Sequence, residues 1–171
     1  MARPKVRKIS TNMLEGYNGK KAIIETRSGW EITVIKMLEK MCQVKAIQGY
    51  SSEEFVVPYI CGTDGNPHRY FTDFLITKNN GDKIVVEVKP NQETIQPFKP
   101  RNFKSDKQKR NYDTSMLTYI KNTSKWKATI EECKNLTQTT GENWSFAIWV
   151  EKNKKNPSDK GNGIIKKIIP V

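Results

Sequence analysis

Apolar and polar side chains alternate most regularly between residues 69 and 90, which read RYFTDFLITKNNGDKIVVEVKP. Two strand-like runs flank the letters NNGD at 79–82, and residues of these types tolerate the positive φ angles that hairpin turns need. In the second run, Glu87 and Lys89 face one side of the predicted strand, whereas the valine between them faces the other. The pattern predicts a β-hairpin, and a turn centred on Asn80 pairs residues whose numbers sum to roughly 160.

This register sets the two acids of the hairpin, Asp73 and Glu87, directly opposite each other. Like charges in such positions destabilise a sheet by roughly a few tenths of a kcal/mol or more, and a bound cation would relieve the repulsion. Carboxylate oxygens suit Mg²⁺ or Mn²⁺, which keep several waters and bind through one or two carboxylates plus substrate phosphate. The alternative is a surface hairpin whose acids and Lys89 are merely solvated. The spacing alone leaves both interpretations open.

Helical spacing of apolar residues occurs twice. Residues 28–41, SGWEITVIKMLEKM, place apolar side chains at every third or fourth position and predict one helix. Residues 113–136 predict a second helix in two segments, because Asn122, Thr123 and Ser124 form a stop-and-cap signature in its middle. Shorter strands are predicted at 22–26, at 44–47 or 55–57, and at 143–150.

Glu31 lies in the first turn of the first predicted helix, on the same face as its apolar stripe. It follows Ser28 by three residues, and Ser-x-x-Glu is a capping box in which the Glu bonds back to the start of its own helix. The same carboxylate, on the core side of a helix packed against the hairpin, could instead complete a metal shell. These residues alone leave both roles open.

The charge balance adds a candidate binding surface. The 171 residues suit a single domain, and 30 Lys and Arg against 18 Asp and Glu give a net charge of +12. Such an excess indicates a polyanionic partner, nucleic acid first and an anionic membrane second. A proline-containing loop at 91–111 follows the hairpin, and we expect its basic residues to contact a DNA backbone unless the loop is merely solvated. These residues are Lys99, Arg101, Lys104, Lys107, Lys109 and Arg110.

The composition also excludes several classes of protein. No apolar run approaches the roughly 18–20 residues that a membrane span needs, and the basic start leads into no hydrophobic segment, so neither a membrane span nor a secretory signal is expected. With nucleic acid as the first candidate, we expect no membrane partner. Cys42, Cys61 and Cys133 form no CxxC pair, which suits reduced thiols. With only His68 beside Cys61, a structural zinc site lacks ligands, so the sequence predicts that any metal is bound by oxygen.

Three regions follow from these patterns. Residues 1–21 predict an extended or partly disordered basic arm, which either contacts phosphate or is solvated. Residues 22–151 hold the predicted helices and strands and form the domain. Residues 152–171 predict a basic, mobile tail with a small apolar end at 164–169.

The order of these elements resembles the PD-(D/E)XK nuclease core, in which an acid and an acid-x-lysine motif end adjacent strands. Thr72 replaces the usual proline before the first acid. The resemblance is closest to the head-completion nucleases of T-even-type bacteriophages, and a related pattern occurs in the endonuclease subunit of some transposases. The motifs that carry it are SGWE at 28–31, SSEEFVVPY at 51–59, HRYFTDF at 68–74, VEVKP at 86–90 and NTSKWKA at 122–128.

The resemblance implies a restriction-endonuclease-like α/β fold, a mixed central sheet flanked by helices. It further implies that Asp73 and Glu87 bind Mg²⁺, for which Mn²⁺ substitutes, together with the carbonyl of Val88 and with Glu31 directly or through water. Lys89 would position the attacking water and stabilise charge on the phosphate. Lys125, in the last motif, joins the expected contacts to double-stranded DNA.

Three hypotheses about function follow. The first is a Mg²⁺-dependent DNA endo- or exonuclease that acts on packaged DNA during head completion in the host cytoplasm, with phage portal or head-neck proteins as partners. The second is a transposition- or repair-type endonuclease of the same superfamily. The third is a non-catalytic basic DNA-binding protein of the virion, which the intact set of Asp73, Glu87 and Lys89 argues against.

Overall fold

The computed structural model describes residues 6–151 and the backbone of residues 164–167. Residues 1–5, 152–163 and 168–171 lie outside this description. The described part contains two α-helices and nine strands. Their bounds in chain order are β1 Arg7–Ser10, β2 Ile23–Thr26, α1 Gly29–Gln43, β3 Gly49–Ser52, β4 Val56–Ile60, β5 Pro67–Phe71, β6 Phe74–Thr77, β7 Lys83–Lys89, α2 Asp106–Thr140, β8 Trp144–Glu151 and β9 Ile164–Lys167.

A five-stranded sheet in the order β3-β6-β7-β8-β9 forms the centre of the domain. Strands β6 and β7 form the predicted hairpin, and Phe74 pairs with Val86 and Ile76 with Ile84, so the paired numbers sum to 160. Strand β8 runs parallel to β7, because α2 carries the chain back across the sheet between them. The predicted mixed sheet flanked by helices is therefore confirmed.

The two helices cover opposite faces of this sheet. On one face, Val34 and Leu38 of α1 are fully buried in a cluster that includes Phe74 and Val86. On the other face, Trp126 of α2 packs against β8. Because side chains alternate along β7, Val86 faces α1 and Glu87 faces α2. The alternation predicted from the sequence thus decides which helix lies over the acid.

The chain changes sheets immediately before the hairpin. The sequence pattern predicts one strand-like run from Tyr70 to Ile76, but the structure divides it: β5 pairs with β4 in a separate two-stranded sheet, and β6 joins the central sheet. The change occurs at Thr72, whose backbone N–H and hydroxyl both donate to the carbonyl of Phe55 at 3.1 and 3.2 Å. Asp73 is the first residue after this crossing.

The segment predicted as a basic arm is more ordered than expected between residues 6 and 21. Strand β1 pairs with β2, and the following turn is fixed by Leu14 and Tyr17, which pack against the core, and by two carboxylates of other elements. Glu39 accepts the backbone N–H of Glu15 at 2.9 Å, and Glu54 accepts those of Lys20 and Lys21 at 2.7 and 3.1 Å. In the predicted tail, residues 164–167 form β9 beside β8 instead of a mobile end.

Helix α2 corrects two expectations. It is continuous rather than divided, because the hydroxyls of Thr123 and Ser124 donate to carbonyls of the preceding turn and Asn122 is buried. It also begins at Asp106, where the Ser105 hydroxyl caps it, so part of the expected basic loop is helical. Neither α1 nor α2 combines the length and apolar character needed to cross a membrane.

The short strands agree with the sequence in part. The predicted strand at 22–26 and the long one at 143–150 are present as β2 and β8, and the candidate at 55–57 overlaps β4. The candidate at 44–47 is not a strand, because α1 extends to Gln43 and the chain turns at Lys45, which has a φ of 55°. The neighbouring strand, β3, begins only at Gly49.

Candidate active site

Asp73 occupies the end of the β6–β7 ladder. Its Oδ2 accepts a hydrogen bond from the backbone N–H of Val88 at 2.7 Å. If the β6–β7 ladder continued, a backbone carbonyl would accept this bond instead. The side chain is thereby fixed beside Glu87 on the neighbouring strand. The predicted juxtaposition of the two acids is present, although Asp73 itself lies just outside β6.

Glu87 is a carboxylate with almost no solvent exposure, at 1% of its surface. Its Oε1 lies 2.9 Å from the Nζ of Lys89, and its Oε2 accepts a hydrogen bond from the hydroxyl of Tyr70. Both oxygens therefore have partners, which a buried carboxylate requires. Lys89 and Glu87 share one face of β7, as the alternation predicts.

The charges at this site do not balance. Burial raises the pKa of the Asp73 carboxyl well above its ordinary value, and the charge of Glu87 raises it further, against the Val88 N–H and Lys89. Burial alone lowers the pKa of the Lys89 ammonium, but the charges of Glu87 and Asp73 outweigh it and leave that pKa raised. One ammonium thus faces two carboxylates, one of which resists ionisation. A further cation would favour the ionised form of Asp73.

A polar cleft of about 500 Å³ opens above these residues. Lys125 of α2 lines it, with its Nζ 4.9 Å from the centre of the Tyr70 ring. Burial lowers the pKa of the Lys125 ammonium, and the charge of Glu87 partly opposes this shift. The remaining basic lining residues are Lys21, Arg27 and Arg69. The cleft therefore has acids at its base and mostly cations around its wall, where Glu53 pairs with Lys21 at 3.1 Å.

Glu31 is held at the start of α1. Its Oε2 accepts the backbone N–H of Arg27 at 2.9 Å, its Oε1 lies 2.7 Å from the Ser28 hydroxyl, and its own N–H donates to that hydroxyl at 3.2 Å. The Ser28 hydroxyl therefore caps the helix as predicted, and the Glu31 carboxylate reaches back as in a capping box, but to the N–H of Arg27 rather than to that of Ser28. Glu31 is still near enough for its charge to raise the pKa of Asp73. A metal role would require the carboxylate to exchange its cap bonds for the cation.

The predicted DNA-contacting residues fall into two groups. Lys125 lies in the cleft, beside the acids. The other six lie on the surface, in the segment before α2 and in its first turns: Lys99, Arg101, Lys104, Lys107, Lys109 and Arg110. These six form a surface that we call the basic surface, and it is separate from the lining of the cleft.

Tyr70, Arg27 and Arg69 are site residues that the sequence patterns did not identify. Tyr70 precedes Asp73 by three residues within HRYFTDF, and the regular strand pattern gave no reason to separate it from its neighbours. Its contact with Glu87 arises because the chain changes sheets at Thr72. Arg27 comes to the cleft from the loop before α1, which no local pattern could indicate.

Residues 45–151 match the family described as TnsA-like endonuclease N terminal. The chain belongs to this endonuclease family. It is also 35% identical to the head completion nuclease of Enterobacteria phage T4 over 112 residues, which are 66% of this chain and 72% of that protein. No solved structure matches the chain significantly.

Membership of the TnsA-like family makes the chain a nuclease, and the resemblance drawn from its motifs is confirmed. The matched region contains Asp73, Glu87, Lys89 and Lys125, whereas Glu31 precedes it. These four residues thus lie in the part of the chain that matches the family.

A second group of potential metal ligands lies on the β4–β5 hairpin. One ligand atom from each of Cys61, Asp64 and His68 lies within 4.8 Å of the other two. Counting only His68 beside Cys61 in the sequence misses the carboxylate that the turn adds. The structure thus raises the number of potential ligands at this place from two to three, and the expectation that any metal is bound by oxygen stays a prediction.

Proposed function

We propose that this TnsA-like nuclease is a Mg²⁺-dependent hydrolase of DNA phosphodiester bonds, with its active site at Asp73, Glu87 and Lys89. The observation that carries the proposal is the pairing of the buried Glu87 and half-buried Asp73 carboxylates with one lysine at the base of a basic cleft. A structural ion pair would need no second acid, and a solvated hairpin would not bury Glu87 to 1% exposure. The arrangement suits a cation that bridges protein and phosphate.

The donor atoms of the site fit a hard divalent cation. Asp73 and Glu87 offer carboxylate oxygens, and the unfavourable ionisation of Asp73 is what a bound cation would relieve. We propose the Val88 carbonyl as a further ligand and Glu31 as one that joins directly or through water. When bound, Mg²⁺ or Mn²⁺ would polarise the scissile phosphate and make the attacking water more acidic.

The protein's own residues would orient the Glu87 carboxylate and the attacking water and would balance the charge of the phosphate. Tyr70 holds one oxygen of Glu87, because burial keeps its hydroxyl protonated by raising its pKa, so that it remains a donor. Lys89 is charged and directly bonded to the other oxygen, so it is positioned to direct a water and to stabilise negative charge gathering on the phosphate. Lys125, Arg27 and Arg69 would hold the neighbouring phosphates along the cleft.

The biological role that we propose follows the head completion nuclease of phage T4. We propose that the protein acts on packaged double-stranded DNA during phage head completion and head-tail joining, in the host cytoplasm, with portal or head-neck proteins as partners. The similarity to that protein over 66% of this chain supports this role. The family match alone supports the alternative of a transposition- or repair-type endonuclease.

Metal-dependent cleavage is the first expected result. Purified protein incubated with supercoiled plasmid and Mg²⁺ or Mn²⁺ should yield open-circular, linear or shortened DNA, and an excess of chelator should stop the reaction. Gel electrophoresis separates these products, and end-labelled linear duplexes distinguish endonuclease from exonuclease action. Plasmid that stays supercoiled with either metal would contradict the proposed activity, and cleavage unaffected by chelator would contradict the metal.

The basic surface should supply affinity without sequence information. Charge reversal of Lys104, Lys107 and Lys109 should weaken binding to duplexes of any sequence. It should also lower the slope of log K against log salt by about 0.9 for each phosphate that the variant no longer neutralises. The measurement is fluorescence anisotropy over a salt series, with a catalytically inactive variant and two unrelated duplexes.

A matched control keeps the overall charge change the same. Lys8, Lys36 and Lys40 are exposed on β1 and α1, away from α2, and their reversal changes the net charge equally. The control should bind DNA nearly as the unmodified protein does. If the variant at Lys104, Lys107 and Lys109 keeps the same slope of log K against log salt, the basic surface is merely solvated. The same conclusion would follow if this variant and the control lost equal affinity.

A further inference from the structure

The hairpin formed by β4 and β5 holds three chemically different ligand groups at its tip. Cys61 follows β4 with no exposed surface, Asp64 lies in the exposed turn, and His68 lies in the first residues of β5. Their ligand atoms all lie within 4.8 Å of one another. The mechanism proposed for the nuclease uses none of them, since the acids and the lysine of the active site lie at β6 and β7.

The separations are close to those of a coordinated metal. With metal–ligand bonds of about 2.0–2.3 Å and tetrahedral angles, ligand atoms lie roughly 3.3–3.8 Å apart. The Nε2 of His68 is 2.9 Å from the Oδ2 of Asp64, so these two need to separate slightly, while the thiol needs to approach by about 1 Å. To bind the metal, the Cys61 thiol would exchange its present contact with the Thr63 hydroxyl, at 3.0 Å, for the ion.

The backbone of the turn is already fixed. The N–H groups of Cys61 and Gly65 make hydrogen bonds of 2.9 and 2.8 Å across the turn, and Gly65 has a φ of 71° that favours glycine. Asp64 accepts the N–H of Asn66 through Oδ1, which leaves Oδ2 toward His68. The ring of Tyr59 lies 5.7 Å from that of His68 and limits its rotation. Binding would therefore order little additional chain.

The three ligand groups lie close together in the sequence. Two residues separate Cys61 from Asp64 and three separate Asp64 from His68. Intervals this short let residues of one turn reach a single ion, as they do within the ligand pairs of zinc sites. Thiolate and imidazole ligands favour Zn²⁺ over Mg²⁺, which prefers oxygen alone.

We propose that Cys61, Asp64 and His68 form a second cation site, selective for Zn²⁺ and independent of the oxygen site at Asp73 and Glu87. Three protein ligands bind the ion, and water completes the tetrahedron. The tip of this hairpin contacts the middle of α2, whereas Tyr70 near the other end of β5 reaches Glu87, so the metal would bind at the tip, apart from the acids of the cleft. It does not depend on the proposed nuclease mechanism.

The contact with α2 gives the site a consequence for the nuclease. The Gly62 N–H donates to the Ser124 hydroxyl at 3.1 Å, and a Cβ on Gly62 would lie only 2.9 Å from that oxygen. Ser124 immediately precedes Lys125, which lines the cleft. A metal that fixes the hairpin tip would thereby hold this turn of α2 against it.

The test uses the full chain with Zn²⁺ and with Co²⁺ as a spectroscopic probe. We expect about one tightly held Zn²⁺ per chain by elemental analysis after dialysis against excess Mg²⁺. Co²⁺ should give a thiolate-to-metal charge-transfer absorption. His68→Gln should lower Zn²⁺ affinity about a hundredfold, since even outer-shell partners are worth 10–100-fold. Cys61→Ser should remove the charge-transfer absorption.

Two controls make the result specific. Cys42→Ser changes a half-buried thiol outside the cluster and should leave both signals intact. Asp73→Asn should also keep the Zn²⁺ and the Co²⁺ absorption, so a failure of the active-site assignment would not affect this test. If Cys61→Ser does not fold, the half-exposed His68 provides the decisive variant. Absent charge-transfer absorption, or Zn²⁺ affinity unchanged in His68→Gln, would overturn the proposal.

Discussion

Asp73→Asn and Glu87→Gln are each expected to lower the cleavage rate by at least about a hundredfold. Outer-shell residues of a metal site are worth 10–100-fold, and a direct ligand should cost no less than the upper end. Both substitutions keep the size of the side chain and its ability to accept a hydrogen bond, so the Val88 N–H and the Tyr70 hydroxyl keep partners. DNA binding should remain nearly unchanged.

Single-turnover cleavage of plasmid and anisotropy binding at matched salt measure the two quantities separately. Asp113→Asn and Glu131→Gln are suitable controls, because both acids are exposed on α2 and lose the same charge. The controls should cleave at the rate of the unmodified protein. If Asp73→Asn or Glu87→Gln nicked plasmid at the wild-type rate, the substituted acid would not belong to the active site.

The same Asp73 substitution should change stability in the opposite sense to activity. Because burial and Glu87 raise the pKa of Asp73, the folded protein holds that proton more tightly than the unfolded chain, whose Asp has a pKa near about 3.9. The contribution of Asp73 to the free energy of unfolding is therefore least favourable above its raised pKa and improves as pH falls through that pKa. Without metal at neutral pH, Asp73→Asn should leave Tm unchanged or raise it.

Added Mg²⁺ should distinguish the two proteins in the same thermal unfolding experiment. A cation that binds only the folded state stabilises it by about 2.7 kcal/mol at a hundredfold excess over its Kd. Mg²⁺ should therefore raise the Tm of the unmodified protein, and it should raise the Tm of Asp73→Asn much less. Equal gains in both proteins would indicate that the cation binds elsewhere.

The central hairpin shows what local sequence can predict. Turn chemistry at 79–82 and strict alternation along β7 are properties of neighbouring residues, and together they determined the register and the face of Glu87. The division between β5 and β6 was not predictable in the same way. Tyr70 and Phe74 have similar strand preference, and only the partner strands, β4 and β7, distinguish them.

The capping signals within α2 show a related limit. Asn122, Thr123 and Ser124 favour a helix end when they are exposed, but burial of Asn122 against the fold overrides that preference. The order of residues 15–21 was equally invisible, because it depends on carboxylates 23 to 34 residues away that accept backbone N–H groups and on the packing of Tyr17 against Tyr50.

The residues of the candidate site also differ in whether the local sequence predicts them. The acids and Lys89 were found because they occupy adjacent strands of one hairpin. The cations of the cleft wall, Arg27 and Lys125, reach it from separate elements on opposite sides of the acids in the chain. Positions near one another in sequence were therefore predictable from the pattern itself. Lys125 was expected only through the motif NTSKWKA that carries the family resemblance, and Arg27 was not expected at all.

Glu31→Gln is expected to reduce cleavage severely while leaving the fold intact. Gln serves in a capping box as Glu does, so the free energy of unfolding should fall by no more than about 1 kcal/mol. The bond to the Arg27 N–H is exposed and can be exchanged for water at little cost, and Ser28 keeps its bond to the N–H of residue 31. The carboxylate is thus free to turn toward a cation, whose field would attract the same charge that now raises the pKa of Asp73.

Ser28→Ala provides the matched control, because it removes the cap and leaves the Glu31 charge. It should lower the free energy of unfolding by about 1 kcal/mol and retain cleavage. In Glu31→Gln, the Mg²⁺ concentration for half-maximal cleavage should rise, with partial rescue at high Mn²⁺, since removing a ligand weakens metal binding rather than DNA binding. A fully active Glu31→Gln protein with the stability loss of Ser28→Ala would assign Glu31 to the helix cap alone, and the metal shell would then consist of Asp73, Glu87 and the Val88 carbonyl.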